Sequence, residues 1–247
     1  MKTQNLKILT YLMAIFTFTI LTMVGCSNNP LTSENGNGNG NGNGNGGGSG
    51  SETAGIKLNV ITSEETDDPS ANLSISEAKA LLSKIEVENS SGSREINMNS
   101  LVVNFNLSGD VKQVIEKSIP EGIYTKIKFQ LHKPEDFETV SDPEFKTGTS
   151  GNQRFSVIIK GSYNGSAFVY KSRKSVNIVL NFHQPVDIRN NMKNITLLLQ
   201  KNLWFISNGI TLNPNDEDNS DIIDDNIKRS FAKAFKDDDK NGRPDDN

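Results

Sequence analysis

Cysteine and histidine are scarce in this 247-residue chain, which contains one cysteine, Cys26, and two histidines. A single cysteine cannot form a disulfide within the chain, so the fold must hold without cross-links. The histidines, His132 and His183, would need carboxylates as co-ligands to make a zinc site. Strand-end histidines facing solvent are the simpler interpretation.

Basic clusters and long apolar runs are also missing beyond the first 25 residues. The sequence has 26 Lys and Arg against 30 Asp and Glu, a formal net charge of −4. No basic stretch is long enough to follow a phosphate backbone, so no nucleic acid partner is expected. The apolar runs at 177–182 and 195–199 are far shorter than the ~20 residues that span a bilayer.

The N-terminal segment carries the features of an export signal. Lys2 and Lys7 precede an uncharged apolar run at 8–24, and the small residue Gly25 stands directly before Cys26. This arrangement resembles the lipobox of bacterial lipoproteins, although Met23 stands where that family usually has Leu. The resemblance implies a signal peptide over 1–25 and lipidation of Cys26 at the new N-terminus. A membrane-spanning helix and an ordinary signal peptide are the competing interpretations.

A low-complexity tether follows the lipidation site. Residues 35–46 alternate strictly between Asn and Gly, and Gly and Ser continue to residue 51. Such a composition has nothing to bury and is typical of a flexible linker. We therefore assign 26–53 to a tether that lets the folded part stand off a membrane. With the lipid as anchor, we expect the cell outer membrane, on either its periplasmic or its surface-exposed side.

Short strands dominate the sequence between residues 54 and 205. Apolar and polar residues alternate over 123–131, and Asn164-Gly165 separates two such runs as a type I′ hairpin turn would. The run at 195–199 is nearly continuous in apolar character and is expected to lie inside a sheet. Residues 76–84 are ambiguous between helix and strand. The pattern predicts a mainly β fold, an antiparallel β-sandwich over 54–205.

Two short motifs within this region resemble an uncharacterised domain family of bacterial envelope lipoproteins. They are residues 82–88 and the stretch Ile-Pro-Glu-Gly-Ile-Tyr-Thr-Lys-Ile-Lys at 119–128. The resemblance implies an immunoglobulin- or transthyretin-like sandwich on a lipid anchor. It brings no activity and no site residues with it.

Residues 206–247 are predicted to form a C-terminal amphipathic helix and an acidic loop. Asn219 and Ser220 can cap a helix, acidic residues follow in its first turn, and Lys and Arg lie toward its end. The apolar stripe runs from Ile223 to Phe235 at helical spacing. We expect this helix to pack on the sandwich or on a partner.

The acidic loop at 237–245 has the spacing of a calcium loop. It resembles an incomplete EF-hand-type loop, with oxygen ligands at positions 1, 3, 5 and 9, a backbone carbonyl at position 7, and Gly242 at the sharp turn. The predicted metal ligands are Asp237, Asp239, Asn241, Arg243 and Asp245. Position 12 would lie one residue beyond Asn247, so affinity should be weak, and other acids such as the run at 216–218 could contribute. A solubilising acidic tail is the competing interpretation.

The sequence offers few candidates for catalysis, and we expect a non-catalytic binding or structural module with a protein or glycan partner. Four aromatic residues could stack on a sugar or enter a partner's pocket, with cross-strand packing as the simpler interpretation: Tyr124, Tyr163, Tyr170 and Trp204. The alternative is an envelope enzyme that acts on glycans through loop carboxylates. The candidate pairs are Glu135 with Asp136 and Asp142 with Glu144.

Overall fold

The computed structural model describes residues 53–63, 72–147 and 153–245. The predicted signal peptide, Cys26 and nearly all of the predicted tether lie outside the described residues. No helix in the described part is long and apolar enough to cross a membrane. The strands and the helix are β1 (Gly55–Thr62), β2 (Leu73–Asn89), β3 (Gly92–Asn97), β4 (Leu101–Asn104), β5 (Lys112–Ser118), β6 (Gly122–Leu131), β7 (Val157–Tyr163), β8 (Ser166–Ser172), β9 (Val176–Ile188), β10 (Met192–Leu199), β11 (Ile206–Ser207), β12 (Ile210–Thr211), α1 (Ser220–Ser230) and β13 (Phe231–Lys236).

Eleven of the described strands form one mixed sheet that curls into a half-barrel. Its order is β5-β1-β10-β13-β9-β6-β2-β7-β8, with β3 and β4 also paired to β2. The prediction of a mainly β chain is confirmed. The arrangement differs from the purely antiparallel sandwich that was predicted, because β1 runs parallel to β10 and β13 runs parallel to β9.

Strand β2 resolves the ambiguity at residues 76–84 in favour of a strand. It is 17 residues long, and its first half pairs with β7 and β4 while its second half pairs with β6 and β3. Lys84 lies between the two halves with φ +51°, and the pairing with β6 shifts register at the same place. Pairing with four other strands therefore outweighs the helix propensity of the residues in this segment.

The Asn164-Gly165 hairpin is confirmed as predicted. Tyr163 pairs with Ser166 across the turn, and both turn residues have positive φ, +50° and +76°. Asn and Gly tolerate this left-handed conformation at low cost, which is why the pair favours a two-residue hairpin. Strand β10 also lies inside the sheet as predicted, between β1 and β13.

The predicted burial phase of β6 is correct in its second half and wrong at its start. Ile127 is buried while Lys128 is half-buried, but Ile123 is 57% exposed and Tyr124 is fully buried. The cause is a register shift against β2, where Glu88 pairs with Lys126 and Asn89 with Tyr124, since one extra residue in β6 exchanges the two faces of the strand.

The C-terminal segment differs most from its prediction. Helix α1 buries Ile223 and Ile227, as expected of an amphipathic helix, but it ends at Ser230. The remaining apolar residues of the predicted stripe continue as strand β13, which pairs with β10 from Phe231 to Lys236. Pairing with an open strand edge outweighs the helical spacing here. The division of the sequence at 205/206 therefore does not divide the sheet.

One large hydrophobic core lies under this sheet and includes residues from both sides of that division. Phe129 and Phe231 meet edge to face with ring centroids 5.1 Å apart, and Phe105 contacts both Phe231 and Trp204. Such aromatic pairs add to the stabilisation from burial alone. Strand β13 is thus an integral part of the core.

Candidate metal centre

The acidic loop, residues 237–245, begins directly after β13. An EF-hand loop is entered from a helix, so the resemblance is confined to the spacing of the oxygen-bearing residues. The first residue of the loop, Asp237, instead follows a strand in the middle of the sheet. Its backbone N–H donates to the Asn194 carbonyl of β10 at 2.9 Å, which extends the strand pairing by one residue.

Three aspartates of the loop converge. Asp237, Asp239 and Asp245 each offer a carboxylate oxygen, and these oxygens all lie within 4.8 Å of one another. We call these residues the Asp triad. Asp237 is buried, Asp245 is half-buried and Asp239 is exposed, so the triad runs from the protein interior to solvent. Three like charges this close favour either a proton or a cation between them.

Asp237 has one oxygen fully engaged and one oxygen that is not. Its Oδ2 accepts from Thr196 Oγ1 at 2.7 Å and from the Gly242 N–H at 3.2 Å. Its Oδ1 is buried and has no hydrogen-bond partner. A buried carboxylate oxygen without a donor is costly unless an ion or a proton binds it. Oδ1 is therefore the oxygen of this site that a cation would satisfy.

Burial is the main cause that raises the pKa of the Asp237 carboxyl, and the nearby Asp239 acts in the same direction. Hydrogen bonds from Thr196 and from backbone N–H groups of the loop oppose this shift. Among the described residues no Lys or Arg forms an ion pair with Asp237. The innermost carboxylate of the triad thus lacks a protein cation.

Gly242 shapes the loop as the calcium-loop spacing predicts. Its φ is +76°, a conformation that glycine adopts without strain. A Cβ at this position would also lie 2.4 Å from Ile61 Cδ1 of β1. The glycine therefore both turns the chain, so that its N–H reaches Asp237, and lets the loop lie against β1.

The other two predicted ligands, Asn241 and Arg243, are in the loop but are not part of the triad. Asn241 donates from Nδ2 to Asp239 Oδ2 at 2.6 Å, and its Oδ1 accepts from the Arg243 N–H at 2.8 Å. Both side chains are exposed. Asp216, which was a candidate for completing the site, instead accepts from the Asp218 N–H in a short 3-10 turn before α1.

Sequence spacing did not predict the groups that support the triad from the sheet. Thr196 is contributed by β10, and Lys193 and Lys236 flank the outer carboxylates. Lys236 Nζ lies 3.8 Å from Asp245 Oδ2 and 3.7 Å from Asp238 Oδ2, and Lys193 Nζ lies 3.6 Å from Asp238 Oδ2. Thr196 and Lys193 reach the loop because β10 pairs with β13, and the sequence carries no local signal for that pairing.

Comparison with known proteins adds no precedent for this site. No family model, no curated protein and no solved structure matches the chain. The chemistry of the loop therefore has to be argued from its own geometry.

Three of the four carboxylates of the alternative enzyme interpretation, all except Glu135, contact a Lys or Arg side chain. Asp142 Oδ2 and Glu144 Oε2 accept from Lys79 Nζ at 2.5 and 2.6 Å, and Asp136 Oδ1 lies 3.1 Å from Arg154 Nη2. Hydrogen bonding from Lys79 is the main cause that lowers the pKa of Glu144. An acid catalyst in a glycosidase needs a raised pKa, and Glu144 shifts the other way.

The aromatic candidates are mostly packing residues. Tyr124, Tyr170 and Trp204 are 0%, 6% and 1% exposed. Tyr170 donates its hydroxyl to Asp224 Oδ1 at 2.7 Å, and Trp204 donates from Nε1 to Ser230 Oγ at 2.8 Å. These contacts tie α1 to the sheet. The simpler interpretation, cross-strand and helix packing, thus accounts for three of the four.

Proposed function

We propose that this protein is a lipid-anchored module of a bacterial cell envelope whose acidic loop binds calcium. In this proposal the module has a binding or structural role and is not catalytic. The observation that carries the calcium site is that Asp237, whose Oδ1 is buried and unpartnered, has a carboxylate oxygen within 4.8 Å of carboxylate oxygens of Asp239 and Asp245. A solubilising acidic tail would have no need to bury one of its aspartates.

Calcium fits the ligand chemistry better than other common metals. The available donors are carboxylate oxygens, which hard cations prefer, whereas zinc and copper favour nitrogen and sulfur. The triad is open to solvent at Asp239, so water can complete a flexible coordination shell of six to eight oxygens. Magnesium requires a stricter octahedron. We expect a dissociation constant on the order of 10⁻⁴–10⁻³ M, as in extracellular calcium modules.

Envelope location rests on the sequence around Cys26. The signal-like segment, Gly25 and the cysteine support lipidation, and the Asn/Gly tether supports a module held at a distance from the bilayer. A compartment outside the cytoplasm with millimolar calcium would fill a site of the expected affinity. The anchor and the ion thus support the same location, on either side of the outer membrane, and leave the rest of the surface for a protein or glycan partner.

Calorimetry on the full chain tests the calcium site. Calcium titrated to about 10 mM should give a binding heat and a thermal shift, both of which the double variant Asp237→Ala, Asp239→Ala should abolish. Asp216→Ala with Asp218→Ala is the control for the loss of two negative charges, since both of these exposed acids lie outside the loop. The absence of heat and of a thermal shift in the wild type would leave the acidic-tail interpretation in place.

Mass spectrometry and membrane fractionation test the anchor separately. Wild-type protein should partition into detergent and carry an acylated Cys26 at its N-terminus, whereas Cys26→Ser should stay unlipidated and largely uncleaved at this site. An unmodified mature protein in the soluble fraction of wild-type cells would refute lipidation.

A further inference from the structure

Strand β13 joins the two parts of the sheet. On one side it pairs with β10, which continues to β1 and β5; on the other it pairs with β9, which continues to β6 and β2. The pairing with β10 covers five residue pairs, whereas the pairing with β9 covers one, Ala234 with Phe182. Whatever secures β13 therefore secures the connection between both parts.

The acidic loop is fastened to the end of this strand. Asp237 is at once the first residue after β13 and the buried member of the Asp triad, and its carboxylate accepts from Thr196 of β10. Asp238 Oδ1 accepts from the Asn194 N–H of β10 at 3.0 Å. The loop then returns, and the Asp245 N–H donates to the Lys236 carbonyl at 3.0 Å. The triad thus spans the end of β13 and the returning chain.

Without a cation, this arrangement opposes the docking of β13. Docking brings three carboxylates within 4.8 Å of one another and buries Asp237 with an oxygen that lacks a partner. Like charges at this distance repel, and the two nearby lysines face Asp238 and Asp245 rather than Asp237. A divalent cation reverses the sign of the interaction, because it attracts all three carboxylates only when β13 is in place.

We propose that calcium acts as a latch that holds β13 in the sheet, so that ion binding and strand docking are one coupled equilibrium. This inference rests on the proposed calcium site and adds its consequence for the fold. In the calcium-free protein β13 and the edge of β10 that pairs with it open together, well before the β2, β6 and β7 strands. A cation that binds only the docked form suppresses that opening by the factor 1 + [Ca²⁺]/Kd.

Hydrogen exchange on the full chain, purified in detergent, measures the opening of β13 directly. In the presence of a chelator, amides of β13 and β10 should exchange faster than those of β6 and β7. Calcium at ten times its Kd should slow the β13 and β10 amides about tenfold and bring them toward the β6 and β7 rates.

Two variants separate the latch from the binding site. Asp237→Asn keeps the shape of the side chain, removes the buried charge and supplies an amide N–H that can donate to the neighbouring carboxylates. The β13 amides of this variant should exchange more slowly than in the calcium-free wild type, and calcium should not change their exchange rate. Asp238→Asn, outside the triad, should keep the tenfold response. If calorimetry shows calcium binding but β13 exchange is unchanged, or all strands slow equally, the latch is refuted while the site stands. No binding heat at all refutes both.

Discussion

Replacing Lys79 with methionine tests whether the carboxylates of Asp142 and Glu144 stabilise the fold through their ion pairs with Lys79. Lys79 lies on β2 with its side chain 7% exposed, and its ammonium group contacts Asp142 and Glu144, which are 25% and 27% exposed. The methionine retains most of the buried aliphatic chain and removes the charge. The variant therefore leaves two neighbouring carboxylates without their main cation.

The expected loss of stability follows from this burial. Breaking a fully buried ion pair costs about 3–5 kcal/mol, but about a quarter of each carboxylate side chain is exposed, so water partly screens its charge. We expect about 2–3 kcal/mol at pH 7, which corresponds to a melting temperature lower by roughly 5–10 °C for a domain of this size. Lys160→Met is the matched control. Lys160 is 30% exposed and also contacts Glu144, and its loss should cost less than about 1 kcal/mol.

The pH dependence of the loss identifies its cause. Lys79 is the main cause that lowers the pKa of Glu144; for Asp142, burial acts to raise the pKa, but hydrogen bonds from Lys79 and the Glu144 N–H lower it overall. A carboxyl with a lowered folded-state pKa contributes stability above its unfolded pKa of about 4 and loses that contribution as pH falls. The Lys79 pKa is raised by the same bonds against the effect of burial, so its own contribution is complete at pH 7.

Thermal unfolding of both variants between pH 7 and pH 3 supplies the measurement. The difference between wild type and Lys79→Met should be full at pH 7 and should shrink below about pH 4. Equal stability of wild type and variant at pH 7, or a cost that stays constant down to pH 3, would refute the reasoning. In that case Asp142 and Glu144 would be free to take the catalytic role of the alternative interpretation.

Two further predictions concern the sheet. A chain ended at Phe205 lacks β13 and should lose cooperative unfolding and much of its near-UV circular dichroism; a cooperative, β-rich fragment would show that the two parts of the sheet hold together without β13. Ile127→Asp places an unpaired charge in the core and should prevent folding or destabilise by more than about 4 kcal/mol. Lys128→Asp replaces a partly exposed ion pair with Glu88 by a partly exposed pair of like charges and should cost much less. Similar denaturation midpoints for both variants would contradict the burial of this strand.

The strands with strong local signals could be predicted from the sequence, and those determined by distant partners could not. Asn164-Gly165 fixes its hairpin because the turn chemistry is local. Residues 231–236 have helical spacing up to Phe235, yet they form a strand because β10 offers an unpaired edge. The start of β6 was misassigned because a register shift leaves no trace in the alternation.

The candidate site also combines features with a local sequence signal and features that depend on distant strands. The spacing of the acidic residues was sufficient to predict that Asp237, Asp239 and Asp245 come together, because they belong to one short loop. Thr196 and Lys193 reach the loop through strand pairing and could be found only in the structure. The burial of Asp237, on which the proposed calcium site rests, also depends on β13 entering the sheet.

The parallel pairing of β1 with β10 bears on how the protein folds. Gly55 pairs with Met192 and Thr62 with Leu199. One edge of β1, the first strand of the described chain, therefore cannot form its hydrogen bonds until β10, one of the last strands, is present. Contacts between residues so distant in sequence slow folding, because a long loop must close before they are formed. A chain that emerges N-terminus first exposes the apolar residues of β1 for most of its synthesis. Aggregation during that interval, more than instability of the finished fold, is the hazard that a chaperone would have to prevent.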